Sequence, residues 1–480
     1  MVLGDIEGKI MQLQARFAGL FRPVDGDTLA VFRIAFGFLM ATQAFGKYLG
    51  RADLYYDPEA FHFRYPLFEW VRPIPGVPPE IEVGLMGVAA VGIMLGLYFR
   101  VSAILFTAIY THLFFVERSL FNNHFYLIIL FGVLLCVTDS HAAFSMDAAG
   151  GRVKHPGWRP FWQVAIFRAQ IVLVYFFGGI AKLGSDWLHG EPMRQWLLDR
   201  STTHAGGWLL AHPWSAYGFS YSGLLFDLSI GWLLLYRRTR YWALIPLLMF
   251  HLMNAYLWKI GVFPWLAIAS TVVFFDPGMP RRLLRRIDKS IAEAGIPAAF
   301  LPSLRYRRTV IACLAAYLLI QCLLPFRHHF YTHEVNWTET GHLFSWHMKL
   351  RDKDCLTEFT VEDPATGQVE FYDKERILED LSIRQYYIMG IDPLLVLQYA
   401  HHLRDRAETA GIEDPIIKAR HLVSLNGRPH QHLVDPNVNL AKVTRPLFRE
   451  PDWIIPLDSQ AQMGLYPKNT VAAAGDEGEP

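Results

Sequence analysis

Charge is scarce in this 480-residue chain: Asp, Glu, Lys and Arg together make up 19%, and the formal net charge is only +1. With no basic excess to meet a polyanion, no nucleic-acid partner is expected. Cysteine is scarce too. There are four, and Cys136, Cys313, Cys322 and Cys355 show neither a disulfide framework nor a zinc spacing, so a redox relay is not expected. His328, His329, His401 and His402 have no carboxylate or cysteine at ligand spacing, and no metal is expected. No cleavable secretory signal is expected either, because residues 1–28 are polar and amphipathic without a short apolar core and a small-residue cleavage site. The first apolar segment would then direct insertion itself.

What the chain does have is apolar sequence. It is 52% hydrophobic and 14% aromatic, with a mean hydropathy of +0.20, too apolar for an ordinary soluble protein of this length. Segments able to cross a bilayer, each about 17 to 25 residues, fall at 29–47, 81–98, 101–116, 121–138, 161–181, 222–236, 241–258, 260–275 and 309–326. The expected fold is therefore a polytopic α-helical membrane protein with about nine transmembrane helices. If the crossings alternate, the loop arginines Arg281, Arg282, Arg285, Arg286, Arg305, Arg307 and Arg308 share one side with the N-terminus. The positive-inside rule makes that side cytoplasmic. The basic loop is expected to set orientation and meet membrane lipid.

After residue 327 the pattern changes to alternation. LTEFTV (356–361) and GQVEFY (367–372) read as a hairpin through Asp363, Pro364, Ala365 and Thr366. A helix is predicted from Asp392 to about Thr409, then a strand near 416–425 that meets the turn signal Asn426-Gly427. The expected divisions are a cytoplasmic segment 1–28, a transmembrane domain 29–326, a small mixed, strand-rich extracytoplasmic domain 327–468, and a disordered tail 469–480.

Lys182 ends the stretch IVLVYFFGGIAK (171–182). A lysine there either snorkels to water or stays desolvated, and desolvation favours a neutral amine able to act as a base. Other polar residues in predicted spans are Arg33, Asn122, Asn123, His124, Arg168, Asp227, His251 and Asn254. For Arg33 and Asp227 the plain reading is pairing with one another's kind to lock the bundle. His124 opens its span on the side where Lys182 ends its own, and reads either as a structural donor or as a site residue.

NNHFYL (122–127), FRAQIVLVYFFGGIAKLGSDWLHGEPM (167–193), FHLMNAYLWKIGVF (250–263) and NWTETGHLFSWHMKL (336–350) together resemble the vitamin K-dependent gamma-glutamyl carboxylases with their HTTM-type membrane domain. RPVDGDTLAVFRIAFGFLM (22–40), DLSIGWLLL (227–235) and VSLNGRPHQHLVDPNV (423–438) extend the resemblance over residues 22–460, in the same order. It implies a short bacterial-type homologue in which a neutral lysine deprotonates vitamin K hydroquinone. Reaction with O2 then yields a far stronger oxygen base and finally the epoxide, while a glutamate γ-proton is removed and CO2 is captured as gamma-carboxyglutamate. The enzyme would be a carbon-carbon lyase of the bacterial inner membrane or endoplasmic reticulum, with its C-terminal domain periplasmic or lumenal. Its partner would be a glutamate-containing peptide or protein; the oligomeric state is left open.

Carried over by position, the resemblance implies Lys182 as the catalytic base with His124 assisting, and Asn123, Tyr175, His251, Phe263, Trp346 and Met348 around the quinone. For the last four, ordinary core packing is the competing reading. Where vertebrate enzymes have Ser-Trp-Asp-Met-Met, this chain has Ser345-Trp346-His347-Met348-Lys349, which alters the peptide side. Two alternatives stay open: a hydroquinone epoxidase without carboxylation, and a non-catalytic quinone- or lipid-binding membrane protein.

Overall fold

The computed structural model describes residues 17–458 apart from 259, 294, 299, 301, 445–448 and 450. The expected tail 469–480, the end of the predicted outer domain and residues 1–16 of the predicted N-terminal segment lie outside them. A short ribbon starts the fold: β1 (Pro23–Asp25) pairs antiparallel with β2 (Trp158–Pro160). It ties together the starts of two long helices, α1 (Asp27–Gln43) and α5 (Trp162–Ala181). Between them run α2 (Pro79–Leu95), α3 (Phe99–Val116) and α4 (Asn123–Val137). After α5 come α6 (Met193–Ser201), α7 (Pro213–Leu235), α8 (Arg240–Trp258), α9 (Phe263–Ser270) and α10 (Leu304–Leu323).

Five helices among the described residues are long and apolar enough to cross a membrane: Asp27–Tyr56, Phe99–Val116, Trp162–Ala181, Pro213–Leu235 and Leu304–Phe330. The other four expected crossings are helical but weaker. α2 has 17 residues with Glu80 and Glu82 in its first turn, α4 has 15, α9 has 8, and α8 carries Arg240, Pro246, His251 and Asn254. Val101, Ile104, Leu225, Ile245 and Leu319 face outward from the helices, as apolar side chains do where the surroundings are lipid. Inside, Phe32 packs edge-on against Phe131 and Phe167, each at 5.1 Å between ring centroids.

Arg33 is fully buried and forms no ion pair among the described residues. It donates to the carbonyls of Ile93 (2.6 Å), Met94 (2.7 Å), Phe144 (2.5 Å) and Ser140 (3.3 Å). Arg168 likewise donates to Val273 and Phe275 carbonyls at 2.7 and 3.0 Å. Both arginines lock helix ends by satisfying backbone oxygens.

The C-terminal part is built on an antiparallel sheet in the order β4-β3-β5-β6, made of β3 (Lys353–Glu362), β4 (Val369–Tyr372), β5 (Ile416–Leu425) and β6 (Gln431–His432). Phe359 lies opposite both Tyr372 and Ala419, and these side chains enter a second core. That core is closed by α11 (Ile383–Ile391) and α12 (Pro393–Thr409). The predicted helix begins where expected because Asp392 caps it, accepting from the Leu394 N–H at 3.0 Å. Asn426 and Gly427 turn the chain at φ of 52° and 74°, as an Asn-Gly hairpin turn requires.

The two parts are joined by buried polar contacts. Arg428 grips Asp186 with two bonds, at 2.7 and 2.8 Å, and Asn426 Nδ2 adds a third at 2.8 Å. Arg118, in the loop before α4, pairs with Asp392. Gln385 of α11 donates to the Phe61 carbonyl (2.7 Å) and to Glu117 (3.0 Å).

Candidate active site

Lys182 sits at the C-cap of α5, at the far end from the ribbon. Its side chain is only 7% exposed, and it does not reach for water: Nζ donates to Asp227 Oδ2 at 2.8 Å and to the Gly178 carbonyl at 3.2 Å. The Trp187 ring covers it, 5.2 Å from Nζ to the centroid. Small residues bring the acid so close. A Cβ on Gly179 would lie 2.9 Å from the Leu228 backbone nitrogen, and one on Gly231 would lie 3.3 Å from the Val172 Cα. α5 and α7 therefore touch backbone to backbone, as small-residue helix faces permit.

A cavity of about 2390 Å3 opens beside this pair. Of the site residues carried over from the resemblance, Asn123, His124, Tyr175, Lys182, Phe263 and Met348 lie on its wall. The side chain of His124 makes no hydrogen bond to another described residue, and its ring lies 5.9 Å from that of Phe263. Asn123 donates to the His347 carbonyl at 3.2 Å, while its Oδ1 is buried without a partner. His251 and Trp346 stand behind the wall. His251 is bonded through Nε2 to the Tyr175 hydroxyl at 2.8 Å, which fixes that ring. Trp346 packs on Tyr126, 5.2 Å between centroids.

The strand of chain that roofs the cavity is bent: Glu339, Phe344, Trp346 and Lys349 all have positive φ, between 53° and 62°. Non-glycine residues adopt this backbone only at a cost, which clusters at functional sites. On this roof, His347 has a buried Nδ1 without a partner. Burial, together with the neighbouring imidazoles of His342 and His328 and the charges of Arg351 and Lys182, holds its imidazole well below the usual range, and therefore neutral.

Sequence reasoning missed the pairing of Asp227 with Lys182, since the two are 45 residues apart. Trp187 and His347 were missed as well. The signal for Asp227 was its place in an otherwise apolar helix; what it lacked was a partner. Among the described residues, no group of three His, Cys, Asp or Glu side chains is placed to hold a metal ion.

Residues 21–278 match the family model of the HTTM domain, and residues 306–460 match that of the vitamin K-dependent gamma-carboxylase, lumenal domain. No solved structure matches the chain. The two matches suggest a carboxylase enzyme of the membrane with a lumenal domain, using vitamin K hydroquinone as co-substrate and a glutamate-containing protein as substrate. With its helical part and its C-terminal sheet each matched, and Lys182 held at the cavity between them, this chain belongs to the vitamin K-dependent gamma-carboxylase family.

Proposed function

We propose that the protein is a vitamin K-dependent gamma-glutamyl carboxylase in which Lys182 is the initiating base. The observation that carries this reading is a buried amine on the wall of a cavity large enough for two reactants; a single ligand pocket is about 300 to 1,000 Å3. Oxygenation of the bound hydroquinone would supply the strong base for γ-proton removal and leave the epoxide. The flat walls of Tyr175, Phe250 and Phe263 suit a fused ring, and the unpartnered Asn123 Oδ1 suits a hydroxyl on it.

The chain's own residues then have separable tasks. The Lys182 ammonium can pass a proton along its 2.8 Å hydrogen bond to Asp227, leaving the amine free to accept one from the hydroquinone hydroxyl. His124, with its ring nitrogens uncommitted, orients that hydroxyl. His251 keeps Tyr175 flat against the ring, and Trp187 and Met348 exclude water.

The reading also takes 29–326 as the membrane domain, 327–468 as the outer domain, and nine crossings with a cytoplasmic N-terminus. All nine expected segments being helical supports the count. Asp27 at the start of α1, ion-paired with Arg281 of the basic loop at 2.8 Å, supports the orientation.

The test is incorporation of labelled CO2 into a glutamate peptide by purified protein with hydroquinone and O2, scoring epoxide in the same tube. Lys182→Ala should abolish both products while the protein remains folded. Epoxide without fixed CO2 would favour an epoxidase, and equal activity in wild type and variant would remove Lys182 as the base.

A further inference from the structure

Most of the charge on the cavity wall is already matched. Lys182 pairs with Asp227 at 2.8 Å. Lys353 pairs with Glu339 at 2.7 Å, Arg351 pairs with the same carboxylate at 2.5 Å, and Asp352 accepts from Trp196 Nε1 at 3.1 Å. Lys349 and Arg384, also on the wall, form no ion pair with an acid among the described residues. The Arg384 guanidinium makes no hydrogen bond to another described residue, and its Nε is buried without a partner. Lys349 lies over the Trp196 ring, 5.4 Å from Nζ to the centroid, on a backbone held at φ 53°.

These two charges come from separate elements, the strained roof and α11, and both line the same cavity as His124. A buried guanidinium Nε–H without an acceptor is costly, and that cost is recovered when a ligand brings a carboxylate of matching fork geometry. We propose that Arg384 and Lys349 form the carboxylate-binding end of the cavity and hold the side chain of the substrate glutamate. Arg384 takes the γ-carboxylate and Lys349 adds its charge, so the γ-carbon is presented toward His124 and Lys182. Two cations also suit the product, whose γ-carbon carries two carboxylates where the substrate had one.

The substrate named here rests on the carboxylase reading, but binding can be measured apart from turnover. Purified full-length protein in detergent is titrated with a fluorescent glutamate peptide and with its glutamine twin, without hydroquinone. The glutamate peptide should bind about tenfold tighter or more, with the preference falling as salt rises. Arg384→Gln and Lys349→Met should each remove much of that preference, and Lys349→Arg should restore it. In turnover the same variants should raise the peptide KM while leaving the hydroquinone KM near wild type. Equal binding of the two peptides, or a folded double variant that still prefers glutamate, would overturn the assignment. A preference that depends on both cations in a protein that fixes no CO2 would instead uphold the site and count against the carboxylase reading.

Discussion

At the scale of single residues, the group to test first is Asp227, because it is the acid paired with Lys182. Both side chains are nearly inaccessible, at 7% and 6% exposure, so neither charge is stable alone. Removing one partner of such a buried pair costs about 3 to 5 kcal/mol. Asp227→Asn is expected to lower the unfolding midpoint and to reduce epoxide formation about a hundredfold, with Asp227→Glu retaining part of the activity. An Asp227→Asn protein as active as wild type would show that the amine needs no proton acceptor. Lys182 itself was legible in the sequence because one amine ended a long apolar run. Its acid was not, since the contact depends on how two helices cross, and no local pattern encodes that.

Among elements, the contact between α5 and α7 bears the site. The glycine at 179 leaves no room for a side chain against the Leu228 backbone. Gly179→Val is expected to force the helices apart, at about 1 to 3 kcal/mol, and to pull Asp227 from Lys182. Thermal unfolding in detergent and epoxide yield should fall together; loss of one without the other would separate packing from positioning. Helix positions were mostly legible from apolar runs, and the strand β5 and its Asn-Gly turn were read at their observed bounds. Crossing number was less legible, because α4 and α9 are short and α8 is interrupted by polar groups. A hydropathy run reports how apolar a segment is and not how far its helix extends, and α4 and α9 are apolar but short.

For the whole molecule, acid is the expected weak point. His421 of β5 is fully buried, with Nε2 2.8 Å from the Gly390 carbonyl. Burial brings its imidazole down from 6.5 to about 4. A histidine that resists protonation when folded stabilises fully above its unfolded value and loses that contribution as pH falls toward 4. The slope approaches about 1.4 kcal/mol per pH unit. Asp186 adds its loss only at lower pH: burial raises its carboxyl, but the hydrogen bonds from Arg428 and Asn426 outweigh it and hold the group below the usual range, so between pH 7 and pH 5 the slope belongs to His421. Unfolding of the outer domain should therefore shift to lower temperature from pH 7 to pH 5, and His421→Gln should flatten that slope. A midpoint that rises on acidification would contradict it.

The cavity's floor comes from the helices and its roof from the outer segment, with Asn123 donating across the gap to the His347 carbonyl. That shared ownership constrains ancestry. An outer domain borrowed from a distant relative would arrive without the matching roof, and the helical half would keep its lysine and lose its chamber. The two halves of this chain can diverge only in step.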